Sequence, residues 1–244
     1  MTREEMQKLV AAKSWYHGFD ILPGLRTNGK FFVDAKSTLD IYGVPADLTG
    51  RTALEIGVWD GPYTFELERR GASVTALDIQ DPNRTGFNTA KRILESKVKY
   101  IRLGVHEIPA DWSAQFDLVL YLGVYYHLRN PIGAFDKLWR VLKSGGDIFY
   151  EGACLDYAYV VDPLLKRRRR WIKQARETSV ALFAGSPYCG DSSNWFIPTH
   201  LCLQEWIRTS GFRLVHDGIN KVSSRSWGHA VKDGDFRLEE HAII

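Results

Sequence analysis

Four stretches of this chain combine residue types and spacings that could do chemistry. In Arg51-Thr-Ala-Leu-Glu55-Ile-Gly57-Val-Trp59-Asp60-Gly61, a short apolar run ends in a turn bearing two glycines, and a helix-compatible segment opens at Pro62. Gly57 and Gly61 let the backbone pass close beneath a ligand that a side chain would displace, and the start of a helix points N–H groups the same way. Nucleotide-containing cofactors are held like this. Asp78 ends the next apolar run, 21 residues past Gly57, near the separation of about 20 at which a carboxylate meets a ribose hydroxyl pair in nucleotide-binding βαβ units. Tyr126 and His127 follow a third apolar run. An imidazole with an ordinary pKa near ~6.5 accepts a proton at neutral pH, so His127 is either a base or a histidine that orients its loop by hydrogen bonding. Lys166, Arg167 to Arg170, Lys173 and Arg176 form the fourth group, either a solvated face or an anion clamp.

The elements that must carry these residues alternate. The pattern predicts strands at 52–57, 73–78, 98–103, 116–121 and 147–151, with helices at 63–70, about 87–95 and 132–142, which makes a parallel sheet with helices on both faces. Asn130-Pro131 starts the third helix and Ser144-Gly145-Gly146 stops it. An insertion from Cys154 to Trp195 follows the fifth strand. Thr199 to Ser210 then reads as a helix with Leu203, Trp206 and Ile207 on one face, and Phe212–His216 with Ser226–Lys232 as a closing hairpin turning at Asp217 and Gly218. Ahead of all this, Thr2 and Glu5 have the form of a capping box on a short amphipathic helix. The passage Trp15-Tyr16-His17 to Leu22-Pro23-Gly24 reads as ordered loop that roofs a pocket or anchors the core edge, and Phe31 to Tyr42 as a short strand or turn followed by a helix. The division expected is 1–50 as an N-terminal helix and cap, and 51–244 as the main domain with a lid insertion at about 154–195.

At 244 residues with 45% hydrophobic content, one substantial core is expected. A net charge of only +3 gives no global field for nucleic acid. Cys154, Cys189 and Cys202 are odd in number and lack metal-site spacing, which predicts reduced thiols, no metal and a cytoplasmic protein. No apolar run approaches the roughly 18 residues of a membrane span.

The third glycine of the dinucleotide fingerprint is missing, since Thr64 stands three beyond Gly61, which argues against a nicotinamide dehydrogenase. Glu-Ile-Gly-x-x-x-Gly with the later Asp78, Gln115-Phe-Asp-Leu-Val-Leu-Tyr121 and Leu142-Lys-Ser-Gly-Gly-Asp147 together resemble class I S-adenosylmethionine-dependent methyltransferases. Gly123-Val-Tyr-Tyr-His-Leu-Arg-Asn-Pro131, Asn194-Trp-Phe-Ile-Pro-Thr199 and Ser210-Gly-Phe212 are similar to the tRNA wobble-uridine 5-oxyacetic acid (carboxymethyl) methyltransferase family. Trp15-Tyr-His17 with Leu22-Pro-Gly24 resembles shorter bacterial relatives with small, unassigned substrates.

That resemblance implies a Rossmann-like class I fold: a mostly parallel seven-stranded sheet with an antiparallel C-terminal strand and helices on both faces. It also implies S-adenosylmethionine as cofactor, with carboxy-S-adenosylmethionine as the alternative. Glu55, Gly57, Trp59, Asp60 and Gly61 would surround its methionine end, Asp78 with Ile79 its ribose, Val105 and His106 its adenine, and Leu122 and Gly123 the strand tip beside it. Tyr126 and His127 would be catalytic, and Tyr16, His17, Asn194, Trp195 and Arg225 would contact the acceptor. The leading expectation is O-methylation of a small molecule, resting on the short N-terminal region, the near-neutral charge and the aromatic passage. The alternatives are a tRNA wobble-uridine methyl or carboxymethyl transferase and a non-catalytic cofactor-binding protein.

Overall fold

The computed structural model describes residues 1–185 and 187–233; position 186 of the expected lid and 234–244 of the expected domain lie outside the described residues. Seven strands form the main sheet: β1 (Thr52–Ile56), β2 (Ser73–Asp78), β3 (Lys99–Arg102), β4 (Phe116–Leu122), β5 (Leu142–Ala153), β6 (Phe212–Asn220) and β7 (Arg225–Lys232), in the order β3-β2-β1-β4-β5-β7-β6. β1 with β2, β2 with β3, and β4 with β5 are parallel, whereas β7 runs antiparallel to both β5 and β6. The mostly parallel sheet with its antiparallel C-terminal strand is the one expected. Leu118, Val119, Leu120 and Tyr121 of β4 are all fully buried, as a central strand covered on both faces requires.

The chain divides into two compact units, Met1–Ile108 with β1 to β3, and the residues from Pro109 on with β4 to β7. In the first, Thr2 and Glu5 do form a capping box on the helix Arg3–Ala11. Residues 1–50 fall in the same compact unit as β1 to β3. Arg70, buried at the end of the helix Pro62–Arg69, donates to the Val44 and Lys36 carbonyls and to the Asp40 carboxylate, which fixes the helix Ala35–Ile41. The passage expected as loop contains short paired strands, His17–Gly18 with Phe31–Phe32 and Asp20–Leu22 with Leu25–Arg26. Alternation is too brief in such strands to be read from sequence.

In the second unit, two boundaries differ from expectation. Ser144-Gly145-Gly146 does not end an element; it lies in a register shift within β5, between the pairs Phe116–Leu142 and Leu118–Asp147. Asp217 and Gly218 lie within β6, and the turn comes later, at 221–224. Gly218 faces Trp227 across the hairpin, and a Cβ there would come within 2.8 Å of the indole. Close packing rather than a turn demands that glycine. The insertion after β5 has a small core of its own, with Leu155, Leu165, Ile172, Tyr188 and Ile197 buried together and Tyr126 packed against them.

Candidate active site

The residues expected at the cofactor up to His106 lie in the first unit. β1 ends in a turn with Gly57 at φ 75°, Trp59 at φ 49° and Gly61 at φ 84°. A left-handed tryptophan is costly, and the Asp78 carboxylate at the tip of β2 holds it: Oδ2 accepts the Trp59 N–H at 2.8 Å and Oδ1 the Gln80 N–H at 2.9 Å. Each oxygen keeps a further lone pair, which is what a ribose hydroxyl pair needs. Ile79 next to it is 62% exposed, an apolar surface free to cover a flat ring. Val105 is buried and can offer only backbone, while His106 is exposed. A carboxylate with spare acceptors, an uncovered apolar residue and a left-handed turn fit a nucleoside-bearing cofactor.

Three residues expected here have other duties. Asp60 is fully buried and accepts from the backbone N–H groups of Tyr16, His17 and Gly86 at 2.9, 2.8 and 2.8 Å, so it clasps the N-terminal passage instead of facing a cofactor. Burial opposes its charge, but these bonds outweigh that and lower its pKa. Gly61, at φ 84°, has no room for a Cβ, which would meet Phe87 and Phe65 at 2.8 and 2.9 Å. Glu55 is 3% exposed and accepts from the Thr64 hydroxyl, with burial raising its pKa to about 8.

Above the turn, the Tyr16 ring lies 5.1 Å from both Phe31 and Trp59, and all three rings are partly exposed. Within this passage it is Tyr16 that packs against the turn. His17 contributes its backbone, with Nδ1 3.4 Å from Asp60, and Trp15 is the anchor, seated where Gly86 lacks a side chain. Asp60→Ala strands three backbone donors; at about 1–3 kcal/mol for each unsatisfied group, short of additivity, stability should fall by about 3 kcal/mol. Urea unfolding checks the loss, and faster proteolysis within residues 14–33 should accompany it.

A second group of candidate residues lies in the second unit, after β4. Gly123, at φ 74°, turns the chain into a short 3-10 segment, Tyr125–His127. Tyr125 is buried and its hydroxyl donates to the Ala153 carbonyl at 2.8 Å, whereas Tyr126 and His127 are partly exposed. The Ser193 hydroxyl donates to Asp191 Oδ1 at 2.6 Å and lies 2.9 Å from His127 Nδ1. With its proton committed, Ser193 accepts from Nδ1–H, and Nε2 carries the free lone pair. Burial lowers the His127 pKa, and the Asp191 charge opposes that only in part. The ring is therefore a neutral acceptor of protons at pH 7.

Arg225 on β7 forms a bidentate ion pair with Glu151 on β5, and its Nη1 and Nη2 both lie 3.3 Å from the Tyr126 hydroxyl. Burial disfavours its charge, but Glu151 and Tyr126 more than compensate, holding the guanidinium firmly protonated. A Cβ built on Gly123 would be 3.8 Å from both Arg225 and Tyr126, so these groups gather at the tip of β4, where Leu122 is also partly exposed. The Trp195 N–H donates to the Tyr126 carbonyl at 2.7 Å, and Arg129 lies over its ring at 4.2 Å. Asn194 braces the lid: it is 5% exposed and its amide nitrogen donates to the Tyr188 and Asp191 carbonyls.

Sequence reasoning missed Asp191, Ser193 and Glu151. Nothing in the chain connects Ser193 to His127 across 66 residues. Glu151 could have been found as Asp78 was, as an acid ending an apolar run. Among the described residues no three His, Cys, Asp or Glu side chains gather in a way that could hold a metal, and no helix is long and apolar enough to cross a membrane.

Comparison with known proteins agrees with the fold. Residues 54–150 match the methyltransferase domain family. A tRNA U34 carboxymethyltransferase of Campylobacter hominis is 29% identical over 197 residues, which cover 78% of this chain and 62% of that protein. Its counterpart in Campylobacter concisus is 24% identical over 86% of this chain and 66% of its own length. The chain thus spans somewhat under two thirds of these relatives. In fold it is similar to an S-adenosylmethionine dependent methyltransferase from Mesorhizobium loti, with a TM-score of 0.60 at 14% identity over 81% of this chain and 97% of that one. It is also similar to the 1,6-didemethyltoxoflavin-N1-methyltransferase of Burkholderia thailandensis, solved with S-adenosylhomocysteine, with a TM-score of 0.58 at 14% identity over 82% of this chain and 76% of that one. Residues 54–150 thus carry a methyltransferase domain in a fold of the class I methyltransferase type, and the chain resembles the tRNA U34 carboxymethyltransferases.

Proposed function

We propose that this protein transfers a carboxymethyl group to a hydroxyl oxygen on a wobble uridine of tRNA. The names of its curated relatives support that acceptor rather than the small molecule expected from sequence. The observation that carries the reading is the Arg225–Glu151–Tyr126 group beside Gly123. Glu151 takes the Nε and one Nη2 donor of Arg225 and leaves others for a second carboxylate, such as one borne on a transferred carbon. A plain methyl group has no use for them.

When bound, the sulfonium cofactor supplies an electrophilic carbon with a good leaving group. Asp78 and the Gly57–Gly61 turn bind and orient its nucleoside. Arg225 and Tyr126 select the carboxylate. His127 Nε2 takes the hydroxyl proton as the oxygen attacks, with Ser193 and Asp191 fixing the tautomer that makes this possible. The lid core around Tyr188 and Ile197 packs on Tyr126 and limits water there.

The test compares transfer from the plain and the carboxylated cofactor to 5-hydroxyuridine-bearing tRNA, reading the modified nucleoside by mass spectrometry. Carboxymethylated uridine from the carboxylated cofactor supports the proposal; methyl transfer only to small alcohols would overturn it. The double variant Arg225→Leu/Glu151→Leu removes the recognition without leaving a lone buried charge. It should bind the carboxylated cofactor about 10- to 100-fold more weakly, as loss of a charged hydrogen bond worth about 1.5–3 kcal/mol requires. Its affinity for the plain cofactor should stay unchanged, and calorimetry separates the two.

A further inference from the structure

The lid carries a surface that the transfer chemistry does not use. Residues 163–176 contain Lys166, Arg167, Arg168, Arg169, Arg170, Lys173 and Arg176 and no acid, while the whole chain has a net charge of only +3, so everything outside the segment is net acidic. The segment folds as a 3-10 turn, Lys166–Arg168, running into the helix Arg169–Ala175. Leu165, Ile172 and Ala175 are buried and fasten it to the lid, and residues 166–171 and 173 are all exposed. Among the described residues, none of Lys166 to Arg170 or Lys173 makes an ion pair. Arg169 is occupied only by the Tyr159 ring, at 5.3 Å. Cations held in one place and left without acids are a surface for a polyanion.

Two further features narrow the polyanion. Trp171, in the middle of the run, is 45% exposed, so a large flat ring stands uncovered among the guanidinium groups. Arg168, three residues before it, lines a cleft of about 300 Å³ whose walls include Leu164, Leu182 and Phe183, with Phe183 itself 57% exposed. Asp162, the acid in that cleft, already accepts from the backbone N–H groups of Leu164, Leu165 and Cys189. Backbone-neutralising cations interleaved with exposed rings are what unpaired nucleotides need: phosphates meet the cations and bases stack on the rings. A double helix keeps its bases stacked on one another and has no use for Trp171.

We infer that the face formed by Arg167, Arg168, Arg170, Trp171 and Lys173 binds single-stranded RNA, with phosphates on the cations and a base on Trp171. This inference rests on the tRNA reading above and identifies the anticodon loop, the unpaired part of tRNA around the wobble position, as the segment engaged.

The test measures binding of a fluorescein-labelled tRNA transcript to the full chain by anisotropy across about 0.05–0.2 M salt. Arg167→Ser/Arg170→Ser/Lys173→Ser should weaken binding at least ~10-fold and reduce the slope of log affinity against log salt by about 2, at roughly 0.7 per single-strand phosphate contact. Trp171→Ala should weaken binding about 10-fold with the slope unchanged, the mark of lost stacking. Arg84→Ser/Lys97→Ser, two exposed cations of the first unit, is the control and should change neither. Calorimetric binding of S-adenosylhomocysteine verifies that each variant is folded. If the triple variant binds tRNA as the wild type does, the surface is wrong and the tRNA reading survives. If the wild type binds S-adenosylhomocysteine but not tRNA, both fall. Charge-dependent binding to phosphatidylserine vesicles without binding to tRNA would also overturn the inference in favour of a lipid surface.

Discussion

His127→Ala lowers kcat for group transfer by about 10²- to 10⁴-fold, the usual worth of a positioned general base, and leaves cofactor affinity and Tm where they were. The ring is partly exposed, lies 4.2 Å from the Tyr126 ring, and is held at Nδ1 by the Ser193 hydroxyl at 2.9 Å. A residue needed only to hold its loop would move Tm and cofactor affinity together with kcat. The pH profile carries the finer test. In the proposed function His127 acts as a free base, so kcat/KM should rise with pH through its pKa and then level off. Burial lowers that pKa, which puts the rise below the ordinary ~6.5 of a histidine. Asp191 opposes the lowering by its charge, so Asp191→Asn moves the rise to still lower pH. Ser193→Ala frees Nδ1 from its fixed acceptor and lets the wrong tautomer populate, which reduces kcat by about 10-fold without abolishing it. A His127→Ala variant within threefold of wild type, or an acid limb above ~6.5, would reduce the histidine to an orienting role.

Much of this could be read in the sequence because periodicity and punctuation are local. The five parallel strands and their order of appearance follow from short apolar runs separated by helical stretches, and the place of Asp78 at the tip of β2 was legible because it ends such a run. What escaped depends on distance along the chain. Asp60 stands in the glycine turn, where the cofactor resemblance placed it, yet its partners are Tyr16, His17 and Gly86, and only the folded chain brings three backbone donors to one carboxylate. Asn194 and Trp195 are neighbours in sequence with opposite fates: Asn194 turns inward to tie the lid to itself, and Trp195 stays partly exposed against Arg129. Gly218 reads as a turn residue, because the same lack of a side chain that permits a turn also permits Trp227 to lie against the backbone. Composition could not choose between those two uses of one residue.

Glu55 sets the second large effect, this time on stability. Its carboxyl is 3% exposed on β1, beside the Asp78 charge, and burial raises its pKa from 4.5 to about 8. The folded protein therefore holds a proton that the unfolded chain gives up at about 4.5, and its stability falls as pH rises between about 4.5 and 8. At about 1.36 kcal/mol for each unit, the full loss is about 4–5 kcal/mol, much of the stability of an ordinary domain. Glu55→Gln keeps an oxygen for the Thr64 hydroxyl and has nothing to ionise. Urea unfolding of the cofactor-free protein at pH 5, 6, 7 and 8 should show wild type weakening over this range while the variant does not share that fall, so that the variant is the more stable at pH 8. Parallel curves would mean that water reaches the carboxyl. The same variant also separates the two duties proposed for this residue. A Glu55 that only braces Thr64 leaves cofactor affinity unchanged in Glu55→Gln. If the carboxylate must instead face a cationic part of the cofactor, it has to ionise on binding: wild type then releases a proton, visible as a buffer-dependent binding enthalpy at pH 7, and the variant binds at least ~10-fold more weakly.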